Sequence, residues 1–250
     1  MTCRKSIISC VCVAFCVFAV GATFAQSDPQ FVAANQEYAA GHFKEAIDGY
    51  QAIARGGQCS ANLFYNLGNA YFHTGDFGRA ILNYERALAL DRRHPEAQAN
   101  LQIARDEARA LEIAPGEVER FVQFADANQY ALAAAVAFWL TIFSTAWLIF
   151  SRRRSGGAIS LLIFSVLVFG FAVVSVFGLE TGSKGRGLAI VTATNLEARL
   201  ATADTARSVL VLPPGSEIKI LNKRGDWIYA ALPNDLRGWI PATDAEPVRL

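Results

Sequence analysis

The sequence predicts a multidomain membrane protein, in which an all-α helical-repeat domain and an all-β small barrel flank a two-helix transmembrane hairpin. Three observations lead to this fold class. Residues 27–113 repeat at a 34-residue interval, two long apolar runs come next, and short alternating segments separated by turn residues complete the chain. The 250 residues are 53% hydrophobic and carry a formal net charge of +1. This balance argues against nucleic-acid binding, which normally needs a clustered basic face.

Residues 1–25 have the order of a secretory signal peptide. Arg4 and Lys5 precede an apolar stretch at 7–20, and the small residue Ala25 stands at the expected cleavage point. An uncleaved N-terminal anchor is the alternative, and either one exports the next domain of the chain. Four cysteines lie inside this segment and are therefore not expected to form a metal or redox site. Cys59 is the fifth, and we expect it to be a small packing residue.

The 34-residue repeat predicts pairs of amphipathic helices. A shift of 34 residues superposes Tyr38 on Phe72, Gly41 on Gly75, Phe43 on Phe77, Ala46 on Ala80, Ile47 on Ile81 and Tyr50 on Tyr84. Apolar residues between these positions recur at three- and four-residue spacing, and the glycines suit a turn between two helices. We expect two repeats and a capping helix over 95–111.

The second unit resembles the tetratricopeptide repeat. It carries Leu67-Gly68, Tyr71, Gly75, Phe77, Ala80, Tyr84, Ala87 and Asp91 at the spacing of that family. The resemblance implies a helical array whose concave face binds a peptide or a helix of another protein. The expected groove residues are Asn35, Tyr65, Asn69, Phe72 and His73. Helix packing or a solvated position is the alternative role of each.

Two uncharged runs, residues 130–150 and 158–179, predict transmembrane helices. The connecting residues 151–157 contain three arginines, which would cost about 8–10 kcal/mol together in hydrocarbon, so the chain must turn there. Positive loops stay in the cytoplasm. We therefore expect this loop to be cytoplasmic and both flanking domains to be periplasmic, at the inner membrane of a bacterium. Residues 114–129 and 180–187 are expected to be linkers, the second of them flexible.

Residues 188–250 predict a small, partly open β barrel. The strand candidates are 188–192, 209–212, 217–221, 227–231 and 238–240. The motifs Gly225-Asp226-Trp227 and Gly238-Trp239-Ile240-Pro241 resemble the bacterial SH3-like domain, whose members bind proteins or cell-wall peptides. Trp227, Tyr229 and Trp239 are the candidate partner-binding residues. The alternative for the two tryptophans is a core position, favoured for Trp227, where they would supply most of the large apolar surface.

No pattern in the sequence indicates catalysis. The three histidines lack acidic or cysteine neighbours at metal-ligand spacing, and residues 182–187 lack the spacing of a phosphate loop. The acidic residues are expected on the solvated faces of amphipathic helices. We therefore predict a protein that is not an enzyme and has no cofactor or metal.

The whole order of segments resembles the BatE family of the bacterial aerotolerance (Bat) system. Membership would imply an inner-membrane protein that works with von Willebrand A-domain membrane proteins and a MoxR-type ATPase. The first hypothesis is a non-enzymatic periplasmic scaffold. The rival hypothesis is a peptidoglycan-binding module that recruits a cell-wall enzyme. A sensor that signals inward is disfavoured because the loop at 151–157 is short.

Overall fold

A computed structural model describes residues 29–122, 124–151 and 155–249 of the chain. The predicted signal peptide and the three arginines at 152–154 lie outside the described residues.

The first half of the described chain is a stack of five helices. They are α1 (Pro29–Ala39), α2 (Phe43–Arg55), α3 (Ala61–His73), α4 (Phe77–Leu90) and α5 (Pro95–Ala108). The turns within the two units place Gly41 and Gly75 at φ values of 81° and 79°, which favour glycine. The side chains of Ser60 and Asp76 cap α3 and α4 by accepting hydrogen bonds of 3.1 Å from backbone N–H groups. The 34-residue periodicity therefore corresponds to two helix–turn–helix units and one further helix.

The helix α5 is shorter than expected. Its end is marked by Arg109, which has a left-handed backbone (φ 51°), so the prediction of a helix through Leu111 is wrong. The chain beyond Arg109 forms hydrogen bonds with the C-terminal β-sheet region instead. Leu111 N–H donates to Ser216 Oγ at 3.1 Å, and Glu217 N–H donates to the Leu111 carbonyl at 2.8 Å.

Two long helices come after the short helix α6 (Glu117–Val122). They are α7 (Ala127–Phe150) and α8 (Gly156–Thr181), and they pack against each other. Gly156 and Gly157, which the sequence assigned to the loop, begin α8. Both helices are long and apolar enough to cross a membrane. Only 17% of the most apolar 18-residue stretch of each helix is buried. We call α7 and α8 the apolar helices.

The C-terminal part is an antiparallel sheet of seven strands. These are β1 (Leu188–Val191), β2 (Leu196–Arg199), β3 (Ser208–Leu212), β4 (Glu217–Arg224), β5 (Trp227–Ala231), β6 (Arg237–Pro241) and β7 (Ala245–Pro247). Their order is β3-β2-β6-β5-β4-β1-β7, with β3 and β7 at the edges, so the barrel is not closed. The sequence missed β2 and β7, and the strand candidate at 217–221 ended three residues early, because β4 continues to Arg224.

The core of the sheet is aliphatic. It contains Ala189, Val191, Leu212, Ile218, Ile228, Ala230 and Ile240, among others. Trp227 and Trp239 are only half-buried, because they lie on the opposite face from Ile228 and Ile240. The core position favoured for Trp227 is therefore wrong, and Trp239, for which a core and a partner-binding role were both open, lies on the same half-buried face.

The strand β1 joins the helical stack to the sheet. All four of its residues are buried. Ala189 and Val191 face the core of the sheet, whereas Leu188 and Ile190 belong to the same apolar cluster as the buried residues of α2–α5. The segments before and after the apolar helices thus share one core, and both lie at the same end of the helical pair.

Candidate functional site

Asn69, a predicted groove residue, is held by two hydrogen bonds. Its Oδ1 accepts from Tyr84 Oη at 2.8 Å and from Asn100 Nδ2 at 2.9 Å. The same arrangement occurs 34 residues earlier with Asn35, Tyr50 and Asn66, at 2.6 and 3.0 Å. Each asparagine oxygen therefore ties three successive helices together, and within the described chain its amide nitrogen has no hydrogen-bond partner.

The tyrosine hydroxyl of each set donates its hydrogen bond over the whole neutral pH range. Tyr50 and Tyr84 are fully buried, and burial raises the pKa of Tyr50 to about 12. Burial also raises the pKa of Tyr84. Both hydroxyl groups therefore stay protonated at neutral pH and keep donating to the asparagines.

The other groove candidates lie close to this network. Tyr65 is half-buried, and its ring centroid is 4.8 Å from that of His94. His73 is exposed and stacks on Phe43, with ring centroids 4.5 Å apart and an interplanar angle of 4°. Phe72 is half-buried and lies 6.3 Å from the ring of His73. Each candidate thus has a packing contact, and His73 is the most accessible of the five.

These features are those of a known repeat. Residues 61–94 match the tetratricopeptide repeat. The prediction of this repeat in the second unit is therefore confirmed, and repeats of this type mediate protein–protein interaction. The comparison with curated proteins returned no match to the chain.

A buried cluster of charges connects the tetratricopeptide repeat to the sheet. Arg105 is 4% exposed, and its Nη2 donates to Glu85 at 2.6 Å and to Glu217. Its Nη1 lies 3.0 Å from the carboxylate of Glu112. Lys184 is more distant, with Nζ at 3.7 and 3.9 Å from Glu85 and Glu217. Because Glu85 and Glu217 are 5% and 0% exposed, the prediction of solvated acids is wrong for both.

The cluster carries an electrostatic cost. Burial raises the pKa of Glu217 above its usual value, and the attraction of Arg105 offsets only part of this effect. Arg105 thus favours the charged form of Glu217, whereas burial, the larger effect, favours the neutral form. The N–H of Ile113 adds a hydrogen bond of 3.1 Å to the same carboxylate.

A second buried acid links the two ends of the apolar helices. Glu119 of α6 accepts hydrogen bonds of 2.9 Å from the N–H and the hydroxyl of Ser183, which lies just after α8. Burial acts to raise the pKa of Glu119, but the hydrogen bonds from Ser183 and Lys184 outweigh it and lower the pKa. Ser183 is buried, so the prediction of a flexible linker at 180–187 is wrong at this point.

The aromatic candidates of the sheet form one face. Tyr229 and Trp239 are paired across β5 and β6, with ring centroids 5.0 Å apart. Trp227 lies on the same face in the next row, opposite Pro241, and Arg199 is paired with Trp239 from β2. The structure thus brings together all three predicted SH3-like residues. Cys59, which was expected to pack in a core, is exposed.

The sequence reasoning missed Arg105, Glu85 and Glu217 as a set. Nothing in their spacing connects them, since Glu217 lies 112 residues from Arg105. One signal was present for the interface itself. The strand at 188–191 is apolar at every position, and such a run is typical of a strand that is buried on both faces.

Proposed function

We propose that this chain is a non-enzymatic scaffold of a bacterial inner membrane, which presents a tetratricopeptide-repeat region and an SH3-like sheet to protein partners in the periplasm. The observation that carries the proposal is the repeat match at 61–94, because such repeats form a concave surface for another protein. Asn35 and Asn69 contribute to this surface through amide nitrogens, which the network leaves for a ligand.

The exposure of the apolar helices supports the membrane anchor. The core helix of a water-soluble protein is mostly buried, whereas large apolar side chains of α7 and α8 face outward here. Examples are Trp139, Trp147, Phe164 and Phe177, at 56–69% exposed. A bilayer removes such a surface from water, and two crossings return the chain to the side it came from. The contact between the repeats and the sheet agrees with that topology.

The proposed periplasmic location of both domains depends on the sequence alone. An exported N-terminus and an arginine-rich loop between the helices favour a periplasmic location of both domains. The order of segments further supports a role in a Bat-type stress complex, with von Willebrand A-domain membrane proteins and a MoxR-type ATPase system as partners. The open antiparallel sheet and its aromatic face support the SH3-like assignment.

The test is crosslinking and affinity purification of the full-length protein from native membranes. Tyr65→Ala combined with His73→Ala is the groove variant, because neither residue belongs to the asparagine–tyrosine sets that tie the helices together, and Tyr65 Oη accepts only a long hydrogen bond of 3.5 Å from Asn100. Arg93→Ala, an exposed residue in the turn before α5, is the matched control. We expect A-domain membrane proteins to be recovered with the wild type and the control and to be lost with the groove variant. Equal recovery with all three would exclude the groove as the binding surface.

One observation favours a second candidate function, the binding of peptidoglycan. Tyr229, Trp239 and Trp227 form a half-exposed aromatic face, which suits stacking against a glycan or a peptide. The test is retention of the full-length protein on purified peptidoglycan, because the sheet alone would expose Leu188 and Ile190. Retention that Trp239→Ala abolishes and Leu221→Ala preserves would favour this function. No retention of the wild type would reject it.

A further inference from the structure

The apolar helices α7 and α8 are longer than the hydrocarbon layer of a bilayer. Their 24 and 26 residues correspond to about 36 Å and about 39 Å of helix, whereas this layer is about 30 Å thick. In a membrane, the start of α7 and the end of α8 therefore extend into the layer of lipid headgroups. Side chains that contact these two helix ends lie at the same depth.

Three cationic side chains surround the end of α8. Arg186 and Arg249 both donate to the carboxylate of Glu180 in the last turn of α8, and their side chains are 80% and 42% exposed. Lys219 of β4 donates to the carbonyl of Thr181, the last residue of that helix. The C-terminal end of a helix carries about half a negative charge, so this end and Glu180 together offset only about half of the three positive charges. A surplus of positive charge therefore lies at the level of the headgroups.

Two exposed aromatic side chains lie just before α7. Phe121 of α6 and Phe124 are 75% and 76% exposed. The ring centroid of Phe124 is 5.7 Å from that of Tyr130, near the start of α7. Glu119 of α6 accepts hydrogen bonds of 2.9 Å from Ser183, just after α8, so α6 is held at the level of the cations. Exposure of two large rings to water is unfavourable, whereas the boundary between headgroups and acyl chains accommodates them.

The helical stack approaches the bilayer with one of its two ends. Arg92, in the turn after α4, donates to Asp126, which precedes α7, at 2.9 Å. Successive helices of the stack are joined by short turns and run antiparallel, so the first turn of α2 lies at the opposite end. Lys44 in that turn is exposed, and the 13 residues of α2 span about 20 Å. Lys44 is therefore a cation that is remote from the headgroups.

We propose that the cations at the end of α8 and the rings before α7 form a binding surface for anionic phospholipid headgroups. This headgroup surface consists of Arg186, Lys219 and Arg249 together with Phe121 and Phe124. Arg186 bonds to the shared carboxylate through Nε and Arg249 through Nη1, so the described chain leaves their other N–H groups for phosphate oxygens. The two rings contact the upper part of the acyl chains. The headgroup surface rests on the membrane anchor proposed above and does not depend on the partner of the groove.

The test is native mass spectrometry of the full-length protein released from nanodiscs of equal phosphatidylglycerol and phosphatidylcholine content, which gives the ratio of the two bound lipids. We expect the wild type to favour phosphatidylglycerol. Arg186→Gln should lower this preference about fivefold, because one basic residue near an anionic surface contributes roughly 1 kcal/mol. Arg186→Gln combined with Arg249→Gln should lower it further. Lys44→Gln should leave it unchanged, and Arg186→Lys combined with Arg249→Lys should retain most of it, because both charges remain.

The comparison between variants assigns the lipid preference to the headgroup surface. All of them keep the three arginines at 152–154, so these arginines do not contribute to a difference. Circular dichroism checks that each variant is folded. Three results would overturn the proposal: the same preference in the wild type and the double glutamine variant, an equal fall in Lys44→Gln, or a lysine variant that is as weak as the glutamine variant.

Extraction of native membranes with alkaline carbonate tests the membrane anchor separately. Release of the wild-type protein by carbonate would overturn the anchor and the headgroup surface together. Retention in the membrane without a preference for phosphatidylglycerol would overturn the headgroup surface alone.

Discussion

Replacement of Arg105 by alanine should loosen the contact between the tetratricopeptide repeat and the sheet. The side chain of Arg105 is 4% exposed. It forms ion pairs with two buried acids, Glu85 and Glu217, whose side chains are 6% and 1% exposed. Removal of the buried guanidinium leaves these two buried carboxylates together, with the more distant Nζ of Lys184, at 3.7 and 3.9 Å, as their remaining cation. Breaking a buried ion pair from one side costs about 3–5 kcal/mol. That energy corresponds to roughly a hundredfold to several thousandfold more opening of the contact.

Hydrogen exchange of the full-length protein in nanodiscs measures this opening. The amides of Leu111 and Glu217 report directly, because both are hydrogen-bonded across the contact. We expect the protection factors of these two amides to be lower in Arg105→Ala than in the wild type. The decrease should equal the increase in the opening of the contact. Arg93→Ala, a change at an exposed position, should alter stability by less than about 0.5 kcal/mol. The neutral triple variant Arg105→Met/Glu85→Gln/Glu217→Gln should stay close to the wild type, since hydrophobic or neutral replacements of buried ion pairs are often tolerated.

The defect in Arg105→Ala should depend on pH. Burial already raises the pKa of Glu217, and loss of the guanidinium raises it further, so the folded state takes up a proton more readily than the unfolded state. Stability therefore falls as the pH rises from the usual value of 4.5 through the raised pKa, and it recovers on acidification by about 1.4 kcal/mol per pH unit for one group. Exchange rates equal to those of Arg93→Ala, or a defect that acid does not relieve, would refute this reasoning.

Three further substitutions test other contacts. A Cβ atom at Gly68 would lie 2.7 Å from the fully buried ring of Tyr84, so Gly68→Ala should destabilise the repeats by about 1–3 kcal/mol in urea unfolding. Tyr84→Phe removes one of the two donors to Asn69 and should cost about 1 kcal/mol in the same assay, with no change in helix content by circular dichroism. The pKa of Glu119 is lowered, so its stabilisation of Ser183 is present above pH 4.5 and is lost as the pH falls through the lowered pKa. Glu119→Gln should therefore speed hydrogen exchange at Ser183 near pH 7, and the difference from the wild type should vanish in strong acid.

Local patterns were sufficient for the elements that depend on neighbours in sequence. The 34-residue period located the helix pairs, because the buried face of each amphipathic helix produces three- and four-residue spacing. The glycines at 41 and 75 predicted the turns, because few other residues adopt a positive φ. The lengths of the two apolar runs predicted two long helices, and the first residues of α8 were misassigned to the loop.

The candidate site was predictable only as a set of residue types. Asn35 and Asn69 were placed in a groove because of their helix, but their partners Tyr50 and Tyr84 were recognised only as equivalent positions of the repeat. The aromatic residues of the sheet were found as partner-binding candidates, but the core position favoured for Trp227 was wrong. The pairing of Tyr229 with Trp239 depends on the register of β5 and β6, which a single strand does not encode.

The chain's own patterning was enough to define repeats, apolar helices and strands, because those depend on short-range periodicity and turn chemistry. Only the tertiary structure decided that the repeats and the sheet share a core, through Leu188 and Ile190, and that Arg105 bridges Glu85 and Glu217. The physical reason is that the sequence does not distinguish a buried glutamate from a surface glutamate. Only the packing of the helices against the sheet removes Glu85 and Glu217 from water. Arg105 and Leu111 precede the two apolar helices in the sequence, whereas their partners Glu217 and Ser216 come about a hundred positions later. No local sequence preference links residues that are so far apart.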